Sequence, residues 1–485
     1  MFSYCAVPYI DDSVQLRDYQ KEAIKKWEEN EFRGIYDMAT GSGKTYTAYA
    51  SIVTLINKCV KGNKPILVIV LCPYQHLAEQ WMEDIDKFHI DNRLVGYGSN
   101  GDKDYVSKLK RSIRDLKDGV KKYQLFISTN ATYRLTKIQD VLKDISIDVA
   151  LIVDEAHYVG TKSFSKYLNQ KYKYRLALSA TIDRYRDEFG TNLIHDYFGS
   201  VCIKYTLEDA IKNNNLSKYY YYPVINVLTY EEREKYERLT KQIKKLNHGN
   251  DEIKNNSEMS EELKLLLIKR SLIVVAAENK MANLEELMSK YKNENYLLVY
   301  CGATRVTDYA LTDDIEPDTI ELRQIDQVTR LLGNKLGMNV KRYTSKEDVK
   351  ERMEIRRDFA AGSPVNALVA IKCLDEGVNI PNIRKAFILA STTNPREYVQ
   401  RRGRVLRKAK GKEAAYIFDF ITIPYELEKA KTMDSFALSE YKTLIKNELK
   451  RMKEYFMLAE NKSETYRLTI ELEAVYKLNQ YKESE

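Results

Sequence analysis

The residues with the clearest chemical potential are the run Met38-Ala-Thr-Gly-Ser-Gly-Lys-Thr45. Gly41 and Gly43 let backbone N–H groups approach anionic oxygens closely, with Thr40 and Ser42 beside them. Lys44 supplies a point charge for β- and γ-phosphates, and the Thr45 hydroxyl suits Mg²⁺. Residues 34–38 read as a strand and 45–58 as a helix, and strand–loop–helix is the context a phosphate-binding loop needs. The helix N-terminus beyond the glycines favours negative charge. The competing reading is a chance glycine-rich turn.

A second acidic site follows 110 residues after Lys44, in Leu151-Ile-Val-Asp-Glu-Ala-His157. An apolar strand that ends in carboxylates places them at the carboxyl edge of a sheet. Asp154 suits Mg²⁺, mostly through water, and Glu155 suits a proton acceptor for attacking water. Alone, an Asp-Glu pair is more often a solvated loop end. Paired with the phosphate loop, it reads as half of a nucleotide-hydrolysing site.

These residues need a parallel sheet to position them. Strands are expected at 34–38, 65–71, 124–128, 148–153 and 174–178, and a helix at 74–88. Near-continuous apolar strands between amphipathic helices imply an α/β sheet covered on both faces. A second such unit begins near 295, with strands at 296–300, 339–343, 367–371, 386–390 and 414–418. Helical patterns at 322–336 and 346–359 lie among them. The expected organisation is a nucleotide-binding domain at 1–205, a mostly helical insertion at 206–290, a second α/β domain at 291–424 and a helical tail at 425–485. Within the insertion, 230–246 and 261–288 read as long helices and 247–260 as a solvated loop.

Composition sets the bounds. The 485 residues are 44% hydrophobic and 31% charged, enough to bury large cores. No leader segment and no membrane span are expected, which points to the cytoplasm, or the nucleus in a eukaryote. The six cysteines lack metal spacing and read as buried reduced thiols. The net charge of +8 is compatible with a polyanionic partner without requiring one.

With these motifs in hand, the chain resembles superfamily 2 helicases of the DEAH-containing kind from Leu16 to about Phe420. The resemblance implies two RecA-like domains, and it tolerates Met38 at the first phosphate-loop position. Leu16-Arg-Asp-Tyr-Gln20 resembles the Q motif, which implies that Gln20 reads the adenine edge with Arg17 beside it. Cys72-Pro-Tyr-Gln-His-Leu-Ala-Glu-Gln-Trp81 resembles motif Ia and Phe126-Ile-Ser-Thr129 motif Ic, both implying nucleic-acid backbone contacts; ordinary strand-end packing is the alternative. Ser179-Ala180-Thr181 resembles motif III.

In the second unit, Ile371-Lys-Cys-Leu-Asp-Glu-Gly-Val-Asn-Ile-Pro381 resembles motif V, with Gly377 and Asn379 at nucleotide-facing positions. Asn379 stands where the family often has Asp. Gln400-Arg-Arg-Gly-Arg-Val-Leu-Arg407 resembles motif VI, implying nucleotide contact by Gln400 and arginine fingers at Arg404 and Arg407. The closest flavour is the XPB-like and restriction-subunit branch, whose members mostly act on DNA.

The resemblance implies ATP and Mg²⁺ as cofactors, bound between the lobes, and nucleic acid as partner, with DNA favoured. The expected function is an ATP-dependent helicase or translocase. An RNA helicase is one alternative. Another is an ATPase switch subunit of a restriction or phage-defence complex, with a nuclease on a separate chain. A phosphate-loop ATPase acting on a small molecule or protein is a third. Tyr219 to Tyr222 are read as strand or lobe packing, with base stacking as the alternative. The tail either binds a partner or braces the second lobe, and its basic helix at 442–453 reads as a solvated face.

Overall fold

The computed structural model describes residues 7–97, 104–184, 187–247, 260–302, 317–344, 347, 349–371, 380, 382–390 and 395–478. The chain forms two compact units, Met1–Asn213 and Asn214–Glu485. Each is built on a parallel sheet with helices packed on it.

In the first unit the strands are β1 (Arg33–Met38), β2 (Ile66–Cys72), β3 (Arg93–Gly96), β4 (Tyr123–Thr129), β5 (Asp148–Val153), β6 (Tyr174–Ser179) and β7 (Val201–Tyr205). Among the described residues they form one sheet in the order β3-β4-β2-β5-β6-β1-β7. Every pairing is parallel. All seven residues of β2 and of β4 are buried, as apolar strands covered on both faces must be. Leu67, Ile69, Leu71, Phe126, Leu151 and Val153 form the centre of the core. The edge strands β3 and β7 lie outside the strand expectation: both are partly exposed, and neither is an unbroken apolar run of the kind that marks the central strands. The helix expected over 74–88 is a helix at Gln75–Glu83 followed by a 3₁₀ turn at Ile85–Phe88.

The second unit carries β8 (Lys218–Val227), β9 (Leu297–Tyr300), β10 (Val340–Tyr343), β11 (Ala367–Ala370), β12 (Lys385–Ile388) and β13 (Ala414–Ile423). Their order is β10-β11-β9-β12-β13-β8, again parallel throughout. Leu297, Val299, Val369, Phe387 and Phe418 pack there against Leu284, Met288, Val328 and Leu332.

The expected domain boundaries differ from this arrangement. The first unit runs on to Asn213, and the segment expected as a helical insertion at 206–290 contributes β8 to the second sheet, paired with β13 over ten residues. Four consecutive tyrosines produce the strand. Tyr219 and Tyr221 are buried on one face, while Tyr220 and Tyr222 stack on Tyr416 and Phe418 on the other. The cluster is therefore an amphipathic strand in lobe packing, the reading favoured above. Helix Asn279–Tyr291 seals this strand, with Asn279 Nδ2 donating to the Val227 carbonyl at 2.7 Å and Asn283 Nδ2 to Ile225 at 3.1 Å.

The tail braces the same edge. Glu460 N–H donates to the Tyr219 carbonyl at 2.9 Å. The Asn461 amide accepts from Tyr221 N–H and donates to its carbonyl, both at 2.9 Å. These contacts occupy backbone groups that an edge strand would leave unpaired. Below them, Arg451 of helix Lys442–Phe456 donates to Asp419 at 3.0 Å and to both Glu448 oxygens at 3.0 and 2.7 Å. Tyr221 OH adds a bond to Asp419 at 2.8 Å. The helix expected as a solvated face thus buries Arg451 and Glu448 along with Leu449 and Met452. Removing one member of a buried charge group leaves the others uncompensated. Arg451→Met is expected to destabilise the second unit by about 3–5 kcal/mol, measured as the shift of its denaturation midpoint, with the first unit's transition unchanged.

Candidate active site

The glycine-rich loop expected to bind phosphate leaves the end of β1 and enters helix Lys44–Lys61. Gly41 and Gly43 sit at φ of 84° and 91°, a left-handed region strained for any residue with a side chain. The helix begins with Gly43 as its cap. No side chain caps it, and no acidic residue stands in its first turn. Its first N–H groups are thus left for an anion.

Asp154 and Glu155 follow β5. In the sheet β6 separates β1 from β5, so the two motifs flank the end of β6, where Ser179, Ala180 and Thr181 stand. Lys44 Nζ lies 3.6 Å from Glu155 Oε1. It is buried and has no hydrogen-bond partner, and Thr40 Oγ1 is in the same position. Buried donors are normally satisfied. An unsatisfied ammonium and hydroxyl at the mouth of a glycine loop fit the oxygens of a polyphosphate. Glu155 itself adopts φ 47°, uncommon for a side-chain-bearing residue. His157 Nδ1 lies 3.5 Å from its other oxygen.

Asp154 is nearly buried and held on both sides. Its Oδ1 accepts from Glu155 N–H and its Oδ2 from Trp81 Nε1, each at 2.9 Å. Burial, then repulsion from Glu155, pushes the Asp154 carboxyl up, while Lys44, Trp81 and the Glu155 N–H pull it down. A cation beside it would favour the ionised form. Asp154 and the Thr45 hydroxyl are hard oxygen donors of the kind Mg²⁺ takes. Trp81 lay within the run resembling motif Ia, but its bond to Asp154 is a tertiary contact that no spacing signals.

Gln20 is buried against the loop. Its Nε2 donates to the Gly43 carbonyl at 3.2 Å and to Thr47 Oγ1 at 3.0 Å, and its Oε1 accepts from Arg17 N–H at 2.9 Å. Both amide hydrogens are engaged, so two-bond pairing with adenine requires one of these contacts to be released. Next to it Tyr19 OH donates to the Ser42 carbonyl, and its ring stacks on Tyr205 at 3.8 Å. A cavity of about 650 Å³ opens beyond this stack, lined by Asp37, Asp183, His195 and Lys204 among others; it includes no side chain of residues 38–45 or 154–157.

In the second unit, the run resembling motif VI occupies helix Pro395–Val405 and its exit. Gln400 and Arg404 are buried. Arg401 donates to the Ala390 carbonyl at 3.2 Å, and Arg402 to Tyr219 OH at 3.4 Å, so these two arginines hold the helix. The exit is fixed at its backbone. Ser217 N–H donates to the Leu406 carbonyl at 2.7 Å, Leu216 pairs with Arg407, and Lys412 Nζ donates to the Arg407 carbonyl at 2.8 Å. Burial, then Arg404 and Arg356, push the Arg407 guanidinium down to about 9. Such crowding of positive charge favours an anion. Gly377 and Asn379 lie outside the described residues.

The four described cysteines are buried free thiols. Among the described residues, no group of three or more His, Cys, Asp or Glu is placed to hold a metal, and no helix is long and apolar enough to cross a membrane.

Comparison with known proteins follows the same division. Residues 13–184 match the family model described as "Type III restriction enzyme, res subunit", and residues 279–409 the "Helicase conserved C-terminal domain". A relative described as DNA 3'-5' translocase XPB2, from Sulfurisphaera tokodaii, is 28% identical over 426 residues, covering 84% of this chain and 82% of the relative. A putative helicase 22 of a Sulfolobus islandicus filamentous virus is 24% identical, covering 84% of this chain and 64% of its own. Among solved structures, the ATP-dependent Type ISP restriction-modification enzyme LlaBIII bound to DNA aligns with a TM-score of 0.62 at 17% identity. The alignment covers 96% of this chain but only 33% of that one. The Pyrococcus furiosus Hef helicase domain aligns at 0.52 and 15%, covering 85% and 96%. These structural likenesses support the fold, two RecA-like domains.

Glu155→Gln keeps the side chain's size and removes its basicity. It is expected to lower ATP turnover by about 10²–10⁴-fold while nucleotide binding persists, measured by steady-state ATPase beside equilibrium binding.

Proposed function

We propose that this chain, which belongs to the superfamily 2 helicase ATPases of the restriction-subunit and XPB-like branch, hydrolyses Mg·ATP to move along duplex DNA. The observation that carries the catalytic half is the buried Lys44 ammonium, without a hydrogen bond and 3.6 Å from Glu155. Lys44 binds β- and γ-phosphate oxygens. Thr45 and Asp154 hold Mg²⁺, which when bound neutralises charge on those oxygens. Glu155 accepts the proton of the attacking water. Arg404 and Arg407 are assigned to the γ-phosphate, where planar guanidinium groups match the charge that develops. Gln20 and Arg17 border the base, with Gly377, Asn379 and Gln400 completing the nucleotide contacts from the second domain.

DNA as the track rests on the relatives. One is named for 3'-5' translocation on DNA, and the restriction enzyme was solved bound to DNA. Contacts from the segments resembling motifs Ia and Ic fall on the backbone, so binding is insensitive to sequence and weakens with salt. A second reading has one observation in its favour. The chain spans a third of the restriction enzyme it resembles, as expected of a motor serving other catalytic parts. In that case it is an ATPase subunit of a restriction or defence assembly, with the nuclease on another chain.

Steady-state ATPase at fixed low salt, without nucleic acid and with duplex DNA, single-stranded DNA or RNA, separates these readings. Strong stimulation by duplex DNA is expected. Stimulation by RNA alone overturns the DNA assignment, and no stimulation by any favours the partner-dependent reading. In the stimulated reaction Arg407→Ala is expected to lower turnover by about 10³-fold, and an unchanged rate removes it from the γ-phosphate.

A further inference from the structure

Two tryptophans occur in the chain, and both are buried. Each needs an acceptor for its indole N–H. Trp27 takes a backbone carbonyl, that of Arg175, at 2.9 Å. Trp81 instead takes the carboxylate of Asp154, also at 2.9 Å. The other end of Trp81 is tied as well. Its backbone carbonyl accepts from Tyr49 OH, and the two rings meet edge to face with centroids 4.8 Å apart. Tyr49 stands four residues after Thr45, one turn along the same helix, and stacks on Phe88 at 4.7 Å.

We propose that Trp81 is a positioning residue for the metal site, aiming the Asp154 carboxylate and tying that aim to the helix that carries Thr45. This rests on the assignment of Asp154 and Thr45 to Mg²⁺. With Oδ1 held by the Glu155 N–H and Oδ2 by the indole, the carboxylate cannot swivel without losing both bonds. Each oxygen keeps a lone pair in a set direction for the cation or its water. A hydrogen bond to an ionised acceptor is also stronger than one to a carbonyl, and burial strengthens it further. Trp81 lies on helix Gln75–Glu83, within the run resembling motif Ia. A displacement of that helix therefore acts directly on Asp154, which gives a one-bond route from a segment expected on the nucleic-acid track to the metal ligand.

The test uses the full chain and a fluorescent, non-hydrolysable ATP analogue, with Mg²⁺ titrated from zero. Trp81→Phe keeps an aromatic ring, smaller than the indole, and removes the donor. It is expected to raise the Mg²⁺ concentration for half-maximal tight binding by about tenfold, the low end for loss of a partner behind a metal ligand, and to leave metal-free affinity unchanged. In the unmodified chain, Mg²⁺ added to the nucleotide-loaded protein is expected to change tryptophan emission, and Trp81→Phe abolishes that change. An unshifted Mg²⁺ midpoint in folded Trp81→Phe, or emission indifferent to Mg²⁺ in the unmodified chain, overturns the proposal. Asp154→Asn separates this failure from failure of the site itself. If it too leaves the Mg²⁺ dependence intact, the metal assignment falls; if it shifts the dependence and Trp81→Phe does not, only the role of Trp81 falls. Should Trp81→Phe not fold, Tyr49→Phe removes one hydroxyl and is expected to shift the midpoint in the same direction, an unchanged midpoint counting against the proposal.

Discussion

A buried ammonium without a hydrogen bond is an expensive thing for a protein to keep. Lys44 has the Glu155 carboxylate 3.6 Å away but no hydrogen bond, while the adjoining helix terminus offers further positive potential. The acidic pair beside it supplies opposite charge but no hydrogen bond, with Glu155 3.6 Å away and Asp154 turned into bonds with Trp81 and the Glu155 N–H. What remains is a pair of buried donors, the Lys44 ammonium and the Thr40 hydroxyl, that the oxygens of the proposed nucleotide would fill. The parallel sheet makes it possible. It brings the ends of β1, β5 and β6 to one edge and fills both faces with apolar side chains, so the edge is where polar groups gather.

The second unit solves its charge problem in two opposite ways. Beneath its sheet, Arg451, Asp419, Glu448 and Tyr221 form a network of short, well-directed bonds. Around motif VI, Arg404, Arg407 and Arg356 crowd one another. The first arrangement is a brace; the second is suited to a partner that brings negative charge. The brace depends on the tail, because the helix that carries Arg451 also packs Tyr455 against Tyr221 and leads to the residues that cover the free edge of β8. The tail is therefore part of the domain's structure as well as a place where this chain can differ from its relatives.

The backbone around Arg407 is held by the first residues of the second unit. Leu216 and Ser217 pair with Arg407 and Leu406 immediately after the division at Asn213. The segment that enters the domain is thus bonded to the segment expected to meet the γ-phosphate.

The sequence by itself determined the glycine-lysine loop, the acidic pair and the presence of two α/β units, because each depends on local spacing or on apolar runs a strand's length long, while the arginines of residues 400–407 stood out through family resemblance. Glycines next to a lysine at a strand end, or an apolar strand closing on Asp-Glu, are legible without knowing what lies nearby. Only the tertiary structure decided that Trp81 bonds Asp154, that Gln20 spends its amide on the loop, that β8 belongs to the second sheet and that the tail seals its edge. Those facts depend on groups brought together across 73 residues for Trp81 and Asp154, and 240 for Tyr221 and Asn461. Local pattern carries no record of such meetings; the packing of the sheets and their helices creates them.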